Sequence, residues 1–217
     1  MIFLFRLRMY RFITPLFFCL IALCGGAHAQ SFHAAIKAGI SSTQVSGDNL
    51  GGFDQLGGAV GGVVGLPLSD KIDLNLEILF VQKGSRKLAD PDNEDYKEYL
   101  LRLNYFEFPL FLQYKHSSKI ALEAGPILGV LVSSKEEDEL GPYNWTPPRP
   151  FDQTEIGAGG GLSYNFSGNW SVVSRFETSI LPIRPHQSGQ TYQWNRGQYN
   201  TVLLFMLQYR FNKSNAS

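Results

Sequence analysis

Eight ionisable residues stand out because each interrupts an otherwise alternating, half-apolar segment: Lys37, Glu77, Glu107, Glu123, Glu155, Arg175, Glu177 and Arg210. Carboxylates set beside bases can transfer protons, hold cations or act as acid and base. They can equally fill and cross-link a protein interior. The pairing of acids with bases at one parity favours a packed interior network, with a proton or cation path as its functional alternative. Other candidates for chemistry are weaker. His186 and Ser188 lie close in sequence, and His33 and His116 lie elsewhere, but no spacing suggests a nucleophile, base and orienting acid. The run Glu136-Glu137-Asp138-Glu139 lacks the spaced oxygen ligands and glycine of a calcium loop and reads as a solvated charge patch. No metal or cofactor is expected.

The N-terminus indicates the compartment. Arg6, Arg8 and Arg11 precede an apolar run, Phe12 to Leu23, and then Ala27-His28-Ala29, a small-x-small cleavage site. Residues 1–29 are therefore expected to be a cleaved secretory signal peptide. Cleavage removes Cys19 and Cys24, so no disulfide, thiol nucleophile or cysteine zinc site is expected in the mature chain. It also leaves 16 basic against 19 acidic residues, a net charge of −3. That charge excludes the basic field of a nucleic-acid binder.

The elements that must position the ionisable residues are strands. Leu103 to Tyr114 sets Phe106, Phe108, Leu110, Leu112 and Tyr114 on one face and Tyr105, Glu107, Pro109, Phe111 and Gln113 on the other. The same alternation predicts strands over 31–40, 56–66, 72–83, 120–132, 154–166, 170–180 and 199–211. Eight strands result. Their connections alternate long and short, with long loops over 41–55, 84–99, 133–153 and 181–198. This is the plan of an all-β, eight-stranded, antiparallel up-and-down transmembrane β-barrel. Its domain spans 30–211, followed by a polar tail, 212–217.

The faces agree with that plan. The face free of charge is the more hydrophobic one, whereas a soluble barrel needs a polar exterior. Tyr114, Tyr164, Phe166, Trp170, Tyr209 and Phe211 gather beside short turns or the C-terminus, where an aromatic girdle would lie. Pro109 is expected to mark a bulge or bend. In the long loop 133–153, Tyr143, Trp145, Arg149 and Phe151 form a candidate contact site for a protein or glycan; the loop could instead cap the barrel mouth.

Tyr105-Phe106-Glu107-Phe108-Pro109 resembles the Y-x-E-x-P signature of the PorT-like outer-membrane β-barrel family of Bacteroidetes. Gly125-Pro126-Ile127-Leu128-Gly129, the glycine-rich 157–162 and terminal Tyr209-Arg210-Phe211 follow in the expected order. The resemblance implies an integral outer-membrane protein with both termini in the periplasm. Its surroundings would be outer-membrane lipid and lipopolysaccharide. The family's founding member is associated with type IX secretion, but the matched residues specify a barrel, not a partner surface. The expected role is non-enzymatic: envelope structure, surface interaction or secretion-associated assembly. Two alternatives remain, a soluble lipocalin-like barrel with Tyr105, Phe111, Leu131, Leu204 and Met206 lining an apolar pocket, and a lipid-modifying barrel enzyme.

Overall fold

The computed structural model describes residues 32–48, 50–93, 95–138, 141–142, 150–185 and 197–211. The expected signal peptide and polar tail, together with Tyr143, Trp145, Arg149, His186 and Ser188, lie outside these residues. The described residues form eight long strands: β1 (His33–Ser46), β2 (Gln55–Pro67), β3 (Ile72–Lys87), β4 (Tyr99–Lys115), β5 (Ile120–Asp138), β6 (Thr154–Ser167), β7 (Trp170–Ser179) and β8 (Gly197–Arg210). Each pairs antiparallel with its sequence neighbours. The first and last also pair, Ile36 opposite Tyr209 and Ile40 opposite Phe205, so the sheet closes into a barrel with no free edge.

Alternation along each strand decides what faces where. Outward positions carry Ile36, Val60, Ile78, Phe108, Leu110, Leu128 and Phe205, all exposed; Ile78 is 53% and Leu110 41% accessible. A wall of that kind is far larger than the apolar patches water tolerates, and it needs hydrocarbon around it. On β4 the outward apolar run from Phe106 to Tyr114 fits the roughly 9–11 residues of a transmembrane strand. At the short-turn end, Trp170 packs 4.8 Å from Tyr209, which in turn meets Phe211 edge-on at 5.5 Å. The aromatic cluster read from the sequence is therefore present.

Several strands run further than the alternation indicates. β3 continues to Lys87, β4 begins at Tyr99 and β5 continues to Asp138, so the acidic run opens within a strand and not in a loop. Above the belt their outer faces turn polar, while Ser85, Leu101 and Leu103 remain buried on the inner face. Pro109 does not mark a bulge. The register is the same on both sides of it, although the pairing skips Phe108 and Pro109 toward β3 and Leu110 and Phe111 toward β5, and the shift falls instead between Asn104 and Tyr105, where Val132 is skipped.

Candidate functional site

The barrel interior holds the ionisable residues in two layers. The layer nearer the short turns draws on β1, β3, β5 and β7. Lys37 Nζ donates to Glu77 Oε1 at 2.7 Å. Arg175 forks onto Glu77, Nη1 to Oε2 at 3.1 Å and Nη2 to Oε1 at 3.0 Å. It also donates to Glu123 Oε1 from Nε at 2.9 Å and from Nη2 at 2.6 Å, and reaches Glu177 Oε1 at 3.3 Å. Its guanidinium carbon lies 4.2 Å from the centre of the Phe111 ring. One planar cation thus ties together three carboxylates on three strands.

The upper layer draws on β3, β4, β6 and β8. Lys83 Nζ lies 2.5 Å from Glu107 Oε1 and 2.8 Å from Glu155 Oε1. Asn200 Nδ2 donates to Glu155 Oε2 at 2.6 Å, and the Tyr105 ring lies beneath the ammonium at 5.0 Å. Around these layers Leu79, Val81, Val202, Leu204 and Met206 are packed without exposure to solvent. The soluble reading needs an apolar pocket at Tyr105, Phe111, Leu131, Leu204 and Met206; all but Leu131, which is half-buried, are fully buried and occupy that space themselves.

Seven of the eight sequence candidates meet in the network. Arg210 does not. It sits opposite Ala35 at the short-turn end, half-buried, and among the described residues it makes no ion pair with the two layers. Its parity is right but its height is wrong. Lys83 takes the place of the missing cation; it lies six residues from Glu77 on the same inward face, so alternation alone would have found it. Among the described residues no group of three or more His, Cys, Asp or Glu is arranged to hold a metal.

A second cluster closes the long-loop mouth. Asp152 N donates to Ile183 O, Leu131 N to Gln153 O and Ile183 N to Gln198 O, each at 2.8 Å, which folds the chain inward over the lumen. Phe151 and Ile183 are thereby buried against Val45, Leu101, Leu103 and Tyr105. Arg184 stacks on Phe151 at 4.1 Å, forks onto Glu136 at 3.0 and 3.1 Å and donates from Nε to Gln198 Oε1 at 2.6 Å. Tyr99 Oη completes the set, donating to Glu136 Oε1 at 2.5 Å. Of the two readings of this loop, Phe151 follows the cap and not the contact site. One expectation changes: Glu136 is a partner of Arg184 and Tyr99, not a solvated charge. Arg184 carried no periodic signal, because it reaches the lumen from a connection.

Glu136 lies above the apolar belt. Burial alone would push its carboxyl up, but the Arg184 guanidinium and the Tyr99 hydroxyl outweigh that and hold it below the usual carboxylate range.

A closed antiparallel barrel with an apolar outer wall and a charged, filled interior defines a transmembrane β-barrel. Residues 28–184, more than half of the sequence, match the outer membrane protein beta-barrel domain model, and the chain belongs to that family. It is accordingly an outer-membrane protein. Among solved structures it is similar to Ail, the attachment invasion locus protein of Yersinia pestis, with 14% identity and a TM-score of 0.49 over 82% of this chain and 98% of that one. Neisserial surface protein A gives 15% identity and a TM-score of 0.45 over 83% and 97% of the two chains. A major outer membrane protein from Thermus thermophilus gives 14% and 0.46 over 83% and 100%. No curated protein matches the sequence.

Proposed function

We propose that this is a non-enzymatic outer-membrane barrel whose role lies in its surface, in envelope structure, interaction or secretion-associated assembly. The observation that carries the reading is the filled lumen: the interior bases are engaged by carboxylates, and the mouth is folded shut over Phe151 and Ile183. Among the described residues, the lumen within the apolar belt is occupied by buried side chains such as Tyr105, Phe111, Leu204 and Met206, where a ligand carrier would place its ligand. Contact with partners then falls to the long loops, and Tyr143, Trp145 and Arg149 are the side chains we assign to a protein or glycan partner. The PorT-like resemblance supports placing the chain in a Bacteroidetes envelope, with residues 1–29 cleaved, both termini periplasmic and lipopolysaccharide around the outer half of the wall.

Orientation and role are tested together. Trp145→Cys should react with a membrane-impermeant maleimide in intact cells, and Ser69→Cys, in the β2–β3 turn, only after the outer membrane is permeabilised. The opposite pattern overturns the orientation. Lipid A from cells lacking the gene should keep its acylation pattern; a changed pattern would restore the enzyme reading.

A further inference from the structure

Charged residues are scarce on the outside of the wall, and those present are gathered. On outward-facing strand positions of the described residues they are Arg86 on β3, Arg102 on β4, and Lys135 and Glu137 on β5. Arg102 stands directly opposite Lys135 and, on its other side, opposite Gly84; Arg86 is two positions beyond Gly84. Directly opposed residues are about 5 Å apart and diagonal ones about 7–8 Å. Three cations thus share one patch of wall. Lys135, 58% accessible, pairs with Glu137 at 2.6 Å, and among the described residues Arg86 and Arg102 make no ion pair. Like charges directly opposite each other on a sheet are destabilising, and Glu137 offsets only one of the three cations, so the patch keeps an excess of two positive charges.

The rows beneath show what anion would fit. Next below the cations come Gln82, Asn104 and Ser133 in one register row, with Asn104 Nδ2 donating to Ser133 Oγ at 2.8 Å. Below that row Phe80 and Phe106 meet edge-on at 5.6 Å at the top of the apolar belt. Hydrocarbon-contacting rings, then amide and hydroxyl groups, then cations follow the order of acyl chain, sugar and phosphate in a phosphorylated glycolipid. Arginine is suited to phosphate because it can donate two parallel hydrogen bonds.

We infer that Arg86, Arg102 and Lys135 form a binding site for the phosphate of an outer-leaflet phosphoglycolipid, whose acyl chains lie along Phe80 and Phe106. This rests on the proposed orientation, which puts the long-loop end in the outer leaflet.

The test uses the full chain extracted from outer membranes, exchanged into lipid-free detergent and titrated separately with diphosphoryl lipid A, dephosphorylated lipid A, phosphatidylglycerol and inorganic phosphate, with bound ligand counted by native mass spectrometry. Diphosphoryl lipid A should bind the parent about 100-fold tighter than Arg86→Gln/Arg102→Gln/Lys135→Gln, and about 5-fold tighter than Arg102→Gln alone. All variants should keep heat-modifiable migration, because the three side chains are exposed. Equal binding by parent and triple variant, or equal binding of phosphorylated and dephosphorylated lipid A, overturns the site. Phosphatidylglycerol or free phosphate binding as tightly as lipid A overturns the glycolipid assignment. A membrane-inserted chain without the lipid A preference defeats this inference alone, whereas a chain absent from the membrane fraction defeats it together with the proposed function.

Discussion

Arg175 and Glu77, 98 residues apart in sequence, meet as a two-point fork inside the barrel, Nη1 to Oε2 at 3.1 Å and Nη2 to Oε1 at 3.0 Å. The same guanidinium holds Glu123 and Glu177. Removing it strands carboxylates where water cannot reach them, and breaking a buried pair in this way costs roughly 3–5 kcal/mol. Arg175→Met should therefore lower the unfolding free energy in lipid vesicles by that amount, read as a fall in the urea midpoint at unchanged m-value. Arg175→Lys keeps the charge but not the fork, and should lose about 1–3 kcal/mol. An unchanged midpoint for Arg175→Met would show that the network does not hold the barrel together.

The mouth cap makes a separate prediction. Phe151 is packed on Val45, Leu101 and Leu103 beneath the Arg184 guanidinium. Truncating a buried phenylalanine costs roughly 3–5 kcal/mol. Spent on local opening, even the lower figure raises the open population more than about 100-fold. Val45→Cys, in a background without Cys19 and Cys24, should react slowly with a water-soluble maleimide. Adding Phe151→Ala should accelerate it by that order. Equal rates would mean that the inward-folded segment does not seal the lumen.

Alternation made the wall legible from the sequence, since in a strand it assigns a face to every residue. It placed Glu77, Glu107, Glu123, Glu155 and Glu177 inward together. What it cannot assign is height along the barrel axis, which depends on strand tilt and on register. Arg210 has the inward parity, yet lies opposite Ala35 at the turn end, while Lys83 stands high enough to bridge Glu107 and Glu155. The mouth was illegible for a different reason. Arg184 and Phe151 reach their places through chain that folds back over the lumen, and such a fold has no period. Likewise alternation does not show the register shift beside Tyr105, beyond which β4 and β5 go on pairing to Tyr99 and Asp138, and Pro109 causes no such shift.

Acid should open the same cap. The Arg184 fork and the Tyr99 hydroxyl outweigh burial and hold the Glu136 carboxyl below its ordinary range. Folded protein thus binds this proton less readily than unfolded chain. The contribution is complete above the unfolded value of about 4.3 and is lost as pH falls from there through the lower folded value. Labelling of Val45→Cys by a dipyridyl disulfide, which still reacts with thiols in acid, should accordingly rise relative to a fully exposed cysteine at the same pH as pH drops below about 4.3. Glu136→Gln, which removes the titrating group, should label faster at neutral pH and lose that acid-dependent rise. A rise of the same size in Glu136→Gln would assign the acid sensitivity to another carboxyl.

Two adjacent glycines in β2 give the sharpest test of which side of the wall is crowded. At Gly61, which faces the lumen, a Cβ would overlap the Ile78 carbonyl oxygen and come within 2.6 Å of Leu79 Cδ2. Backbone cannot yield there without breaking the β2–β3 ladder, in which Gly61 is opposite Leu79. At Gly62, which faces out, the nearest atom to a Cβ would be Ala35 O at 3.9 Å, an ordinary contact. Gly61→Ala should therefore cost about 1–3 kcal/mol, as overpacking does, and lower the yield of heat-modifiable barrel. Gly62→Ala should fold like the parent or slightly better, because alanine narrows the unfolded ensemble by about 0.4–1 kcal/mol where the backbone accepts it. Equal losses at both positions would mean that β2 needs flexibility along its length, and equal tolerance would mean that the inner wall at Gly61 can part from β3.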